Sequence, residues 1–375
     1  MTSRHAEGGC SYEVVAHEGL AALVHREVVE AGVAPSATVA WARRSSGGTW
    51  RIALGAAGCR VDAIFDLASV TKPLTAIAAL RASTRGRIAL GSTIGEVLPA
   101  LASSAAAGAT LEDLLSHRAG MPAWGAIHRE DPWASGAPAS LSFEGAPPPL
   151  DVLLRRAAGR CDGPNEAAIY SDLGYVLAGA MVERSLGSGG ALAREWTAIS
   201  AATTATLRRA SDADFDARTL PTEVVAWRGG DVRGAVHDEN AFAIELAGAT
   251  PGHAGAFGTA EELARFGAHF VEALEGRDER WLPRALAERM IARRPGGTHT
   301  LGWDTPSIGA SSSGARFGAR AIGHLGFTGT SVWIDPEAHA VAVLLSNRTY
   351  PTRDNVKVRE ARPRIHDALW SIPLD

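Results

Sequence analysis

Ser69 and Lys72 stand three residues apart in the stretch F-D-L-A-S-V-T-K-P-L-T-A, residues 65–76. A serine hydroxyl is a poor nucleophile until a neighbouring base takes its proton, and an amine is one such base. Residues i and i+3 share a helix face, so the two side chains point the same way if a helix begins near Ser69. Pro73 fits such a start, because a first-turn proline lacks only an N–H that has no partner there. The free N–H groups of a helix N-terminus also suit a developing oxyanion. Lysine is scarce in this chain: Lys72 and Lys357 are its only two, and arginine carries the remaining positive charge. Taken alone, S-x-x-K equally describes an N-capping serine followed by an ordinary exposed lysine.

Two further stretches hold groups of the same chemical kind. Tyr170, Ser171 and Asp172 open a helical pattern in A-I-Y-S-D-L-G-Y-V-L-A-G (168–179). His324, Leu325 and Gly326 lie at a glycine-punctuated approach to a strand in A-I-G-H-L-G-F-T-G-T-S-V-W-I-D-P (321–336). Singly they read as a packed tyrosine, an Asp172 helix cap and a tight turn. His237, Asp238, Glu239 and His253 lack the spacing of a compact metal-ligand set, so they read as loops at a cleft rim, and no metal is expected. His117, in L-L-S-H-R-A-G, reads as a hydrogen-bonded structural residue near a turn.

These groups need elements to carry them. The segments 36–44 and 49–58, separated by S-S-G-G, predict a β-hairpin. Residues 13–31 predict an amphipathic helix, and helices are expected through Arg81 and over 150–158, 172–186 and 259–275. Segment 125–150 is rich in Pro, Ala and Gly and reads as a long surface excursion. Residues 330–336 and 338–347 alternate like paired strands, and V-R-E-A-R-P-R-I-H-D-A-L-W-S-I closes the chain as a helix. Strands thus cluster at both ends and helices in the middle. The fold class is α/β (α+β), a mostly antiparallel sheet from both termini flanked by helices with an inserted helical region. The sheet-bearing region comprises 10–80 with 300–375, the mainly helical one 81–299, and together they form a single catalytic unit.

Composition limits the alternatives. Among 375 residues, 46% are hydrophobic and 21% charged, enough for a large core. The net charge of −4 offers no basic patch for nucleic acid. Cys10, Cys59 and Cys161 form neither a metal pattern nor a disulfide framework and read as free thiols. Neither a signal-peptide pattern nor an 18-residue apolar run is present, so a cytoplasmic protein without a membrane span is expected.

Together and in this order, S-V-T-K at 69–72, Y-S-D at 170–172 and H-L-G at 324–326 resemble the serine β-lactamase and penicillin-binding protein superfamily. The resemblance is closest to the branch of class C β-lactamases, D-alanyl-D-alanine carboxypeptidases, D-aminopeptidases and family VIII esterases. L-E-D-L-L-S-H-R-A-G-M-P (111–122), V-H-D-E-N (236–240), G-H-A-G-A-F-G-T-A-E-E-L-A-R-F-G (252–267) and L-L-S-N-R-T-Y-P-T-R-D-N (344–355) are weaker companions. The resemblance implies a β-lactamase/transpeptidase-like fold and a cofactor-independent serine hydrolase with an acyl-enzyme. Ser69 would be the nucleophile, and Lys72 and Tyr170 the proton-handling pair, with either as base. The oxyanion would rest on the main-chain N–H groups of Ser69 and Phe327. The substrate would be a small ester, an amide or a β-lactam.

This sequence departs from the pattern at two places. Asp172 stands where many relatives carry asparagine; a carboxylate beside Lys72 favours the ammonium, which would push the base role to Tyr170 unless Asp172 merely caps its helix. Leu325 replaces the threonine of Lys-Thr-Gly or His-Thr-Gly and removes a hydroxyl that helps hold a substrate carboxylate, which points toward esters or amides with a plainer acyl group. His324 could still donate a hydrogen bond, and Thr328-Gly329 is an alternative functional pair. A non-catalytic scaffold or sensor is the reading from another class, and the presence of all three motifs argues against it.

Overall fold

The computed structural model describes residues 3–7, 10–133, 146–202, 208–209 and 217–374. Seven strands form one sheet in the order Ser3–Glu7, Cys10–Ala16, Thr49–Ala57, Ala37–Arg44, Ala340–Ser346, Ser331–Asp335, Ile322–Leu325. Every neighbouring pair is antiparallel except Cys10–Ala16 with Thr49–Ala57, which is parallel. The predicted hairpin and the predicted C-terminal strand pair are both present. They join through Ala37–Arg44 and Ala340–Ser346, where Val343 opposes Ala40.

Ala340–Ser346 is buried along its whole length, which explains its nearly continuous apolar run: both faces of the sheet are covered. One face carries Val341, Val343 and Leu345 into a cluster shared with the helix Ala260–Leu274. The other carries Ala342 and Leu344 onto the helices Glu18–Val24 and Val358–Leu369. Gly267 lets Ala260–Leu274 lie close, since a Cβ there would sit 2.7 Å from Val341 Cγ1.

The expected helices occur as Lys72–Thr84, Leu150–Ala157, Asp172–Ser185, Ala260–Leu274 and Val358–Leu369. Three expectations need correction. The predicted helix over 13–31 begins instead as the strand Cys10–Ala16, where Tyr12 and Val14 are buried and alternate with half-buried neighbours; the helix starts at Glu18. The period of two in S-Y-E-V-V outweighed the helical spacing that follows it. Segment 125–150 is not wholly a surface excursion, because Ala126, Ile127 and His128 are buried. His128 Nδ1 lies 2.9 Å from Asn240 Oδ1, and Asn240 Nδ2 donates to Gly125 O at 2.9 Å, so one amide anchors the segment. Its stretch 134–145 lies outside the described residues. Helices Ala191–Ala202, Glu239–Leu246 and Arg284–Ile291 were not anticipated. The three cysteines are unpaired, and no helix among the described residues is long and apolar enough to cross a membrane.

Gly267→Val should lower stability by about 1–3 kcal/mol through overpacking against Val341. The measurement is a urea midpoint that falls while the denaturation slope stays constant; an unchanged midpoint would contradict the close helix–sheet approach.

Candidate active site

The turn before Ser69 is built by a buried carboxylate. Asp66 accepts the N–H of Ala68 at 2.8 Å and that of His237 at 2.7 Å. This holds Ala68 at φ 48°, a conformation that costs a non-glycine residue about 1–3 kcal/mol. A short 3₁₀ turn, Ala68–Thr71, then leads into Lys72–Thr84, with Pro73 in the first turn as the sequence implied. Ser69 and Lys72 therefore share a face.

Lys72 is 0% exposed. Its Nζ lies 2.9 Å from Ser69 Oγ, 2.6 Å from Asp172 Oδ1 and 3.1 Å from the carbonyl of His253. An ammonium has three protons, and each finds an acceptor here. Asp172 is delivered by the helix Asp172–Ser185, whose N-cap is Ser171: its Oγ accepts from Gly174 N at 3.0 Å. Asp172 is thus not the cap; it is free to meet Lys72. The His253 carbonyl reaches Lys72 because Gly252 packs directly on that helix, where a Cβ would sit 2.1 Å from the carbonyl oxygen of Tyr175.

Tyr170 lies beside the pair, with Lys72 Nζ 4.9 Å from its ring centroid. Three histidines surround it: His117, His299 and His324, at ring-centroid distances of 4.6, 5.5 and 6.1 Å. Burial holds all three imidazoles below their ordinary pKa. His117 accepts the N–H of Ser171 at 3.0 Å, the structural role expected of it. In neutral His324 the Nδ1–H donates to the Leu325 carbonyl at 2.9 Å, which leaves Nε2 only as an acceptor. The hydrogen-bond donation expected of His324 toward substrate is thereby used within the chain.

The pKa values of Lys72 and Tyr170 are shifted apart. Burial lowers the pKa of Lys72, and the pull of Asp172 in the other direction does not cancel it. Burial raises Tyr170 well above its ordinary range, and Asp172 raises it further. Asp172 favours the Lys72 ammonium as expected, and it acts on Tyr170 as well. It makes the phenolate harder to form, while burial makes the neutral amine of Lys72 easier to reach.

The turn after His324 is locked to the segment before Ser69. Thr328 Oγ1 donates to Asp66 O at 2.8 Å and Thr330 Oγ1 to Leu67 O at 2.9 Å. Thr328 is buried and faces inward, unlike the alternative functional pair considered from sequence. Gly326 must be glycine, since a Cβ would lie 1.9 Å from Thr330 Oγ1. Neither the Ser69 nor the Phe327 N–H donates to a protein acceptor among the described residues. Phe327 is 50% exposed, and Leu325 is partly buried against the C-terminal helix cluster. Two pockets meet at Ser69, Asp172 and Phe327. One, of about 450 Å³, includes Trp124, Arg129, His237, Asp238 and His253. The other, of about 370 Å³, includes Tyr170, His324, Leu325, Arg359 and Arg362.

A family model described as Beta-lactamase matches residues 24–366. The chain belongs to the β-lactamase family. It is 35% identical over 141 residues to esterase EstB of Burkholderia gladioli, a match spanning 34% of each protein. It is 26% identical over 128 residues to penicillin-binding protein 4* of Bacillus subtilis (strain 168), spanning 34% of this chain and 26% of that protein. The chain thus matches about a third or less of either curated relative's length. Among solved structures it is similar to EstCE1, a hydrolase with promiscuous acyltransferase activity, with a TM-score of 0.66, 18% identity, and 92% and 99% of the two chains covered. It is also similar to a class C β-lactamase from Rhodobacter sphaeroides, with a TM-score of 0.65, 17% identity, and 94% and 99% covered.

For a member of the β-lactamase family, the parts that sequence reasoning passed over are mainly supports. Asp66 sets the turn, the His253 carbonyl completes the Lys72 cage, and Arg348 donates from Nε to the Phe327 carbonyl at 2.7 Å. The rim groups His237, Asp238, Glu239 and His253 pair locally: His237 with Glu223 and His253 with Asp238, each at 2.8 Å, and Glu239 with Arg353 at 2.6 Å. No metal-competent cluster occurs among the described residues.

Asp172→Asn removes the carboxylate that favours the Lys72 ammonium, so the Lys72 pKa should fall further. The neutral amine would then persist to lower pH, and the ascending limb of a kcat/KM–pH profile should move to lower pH. A limb that moves upward would contradict the electrostatics described.

Proposed function

We propose that the protein is a serine hydrolase that forms an acyl-enzyme on small ester or amide substrates. Lys72 Nζ at 2.9 Å from Ser69 Oγ, with the lysine wholly buried, carries this reading. In the proposed reaction neutral Lys72 takes the Ser69 proton as Oγ attacks the acyl carbon. The N–H groups of Ser69 and Phe327 receive the developing oxyanion. Collapse expels the leaving group, which takes the proton from Lys72 through Tyr170, and water or another nucleophile releases the acyl group. The cleft lies between the sheet-bearing region (10–80 with 300–375) and the mainly helical region (81–299), acting as one catalytic unit. Leu325 supports a preference for substrates without a carboxylate opposite it, and the partial match to an esterase points the same way. A β-lactamase reading draws support from Arg359 and Arg362, which give the Leu325 pocket a positive lining.

A fluorophosphonate probe should add one adduct to the intact mass, and Ser69→Ala should abolish it; labelling that persists in the variant would sink the assignment.

The two substrate readings part at Leu325. A hydrogen bond to a charged group is worth about 1.5–3 kcal/mol, or roughly ten- to a hundredfold in rate. Leu325→Thr should raise kcat/KM for nitrocefin by that factor and leave p-nitrophenyl acetate nearly unchanged. Wild-type turnover of nitrocefin far above any simple ester, or an equal loss on both substrates, would favour the β-lactamase reading instead.

A further inference from the structure

Arg362 is a cation in the wrong place for ordinary stability. It sits on the inward face of Val358–Leu369, 7% exposed, beside Val358, Ala361 and Ile365. Among the described residues no carboxylate pairs with it. Its charged neighbours are Arg348 and Arg359, and its buried Nε has no partner. Burying an unpaired charge is costly, and burial pushes this guanidinium down to about 10, still cationic at neutral pH. Its hydrogen bonds all come from Nη2, to Gly326 O at 2.7 Å and Thr330 O at 3.0 Å.

The Gly326 carbonyl belongs to the same peptide unit as the Phe327 N–H. The amide is a conjugated plane, so a cation on its oxygen draws electron density from nitrogen and strengthens the N–H as a donor. The 326–327 peptide is held in place by its carbonyl, which also accepts from Gly329 N at 3.1 Å, and the preceding peptide by Gly326 N donating to Thr330 O at 2.8 Å. Arg348 differs: its acceptor, Phe327 O, belongs to the following peptide, so it orients the turn without polarising that N–H.

We infer that Arg362 is a positioning residue whose buried charge polarises the 326–327 peptide and thereby strengthens the Phe327 N–H as an oxyanion donor. This rests on the hydrolase reading above. Deleting an oxyanion donor outright costs about a hundred- to a thousandfold in kcat, and weakening one costs part of that. Arg362→Gln, which keeps a neutral donor, should lower kcat for a p-nitrophenyl ester by about ten- to a hundredfold with KM nearly unchanged. Arg362→Lys should recover part of the loss.

The decisive reading is spectroscopic. Infrared difference spectra of the acyl-enzyme formed from an ester carrying a ¹³C-labelled carbonyl report how strongly the acyl oxygen is polarised. Arg362→Gln should move that stretch to higher frequency, toward an unpolarised ester, and Arg362→Lys should move it less. If Arg362→Gln does not fold by thermal unfolding, Arg362→Lys carries the test with a smaller shift in the same direction. A wild type that labels at Ser69 and turns over ester, beside folded variants whose kcat and carbonyl stretch match it, overturns this inference alone. A wild type that neither labels nor turns over overturns the hydrolase reading and this inference with it.

Discussion

The buried amine of Lys72 is the constraint on which the rest depends. Burying a cation is costly unless its protons are satisfied, and those of Lys72 are satisfied by three separate parts of the chain: Ser69 one turn back, Asp172 at the head of another helix, and the carbonyl of His253. Bringing these together dictates much of the surrounding geometry. Gly252 must lack a side chain so that its segment can lie on the helix Asp172–Ser185. Ser171, not Asp172, must cap that helix. Asp66 must hold Ala68 in a strained conformation so that the serine faces the lysine.

Burial has opposite consequences for the two groups that could handle the proton. It disfavours the charged form of each, lowering an amine and raising a phenol. Asp172 partly restores the ammonium while making the phenolate still less accessible. The environment therefore separates two groups whose free pKa values are nearly equal, and separation of that kind is how a fold assigns acid and base roles. The three neutral histidines around Tyr170 belong to the same low-dielectric setting.

Residues with distinctive chemistry were legible in the sequence, and residues acting through position were less so. Ser69, Lys72 and Tyr170 announce themselves by type and spacing, and the structure brings them together. The central strands were readable from the turn between 36–44 and 49–58 and from the alternation in 330–336 and 338–347. The parallel pairing of Cys10–Ala16 was not readable, because a short alternating segment next to a helical one fits either period. Asp66 and the His253 carbonyl had no signal of their own: one is an ordinary acid at the end of a short strand, the other a main-chain group that every residue possesses. Arg362 did carry a signal. Val358, Ala361, Ile365 and Leu369 mark the buried stripe of the last helix, and a charged residue falls within it.

The pairing of Ala37–Arg44 with Ala340–Ser346 also has a history during synthesis. At roughly 5–20 residues per second, the later strand emerges on the order of tens of seconds after the earlier one. Throughout that interval the N-terminal hairpin has an unfilled apolar edge, the kind of surface that invites wrong partners. Contacts so distant in sequence also slow folding, because loop-closure entropy is lost before any pairing offsets it. The nascent hairpin therefore keeps one strand edge unpaired until Ala340–Ser346 has left the ribosome.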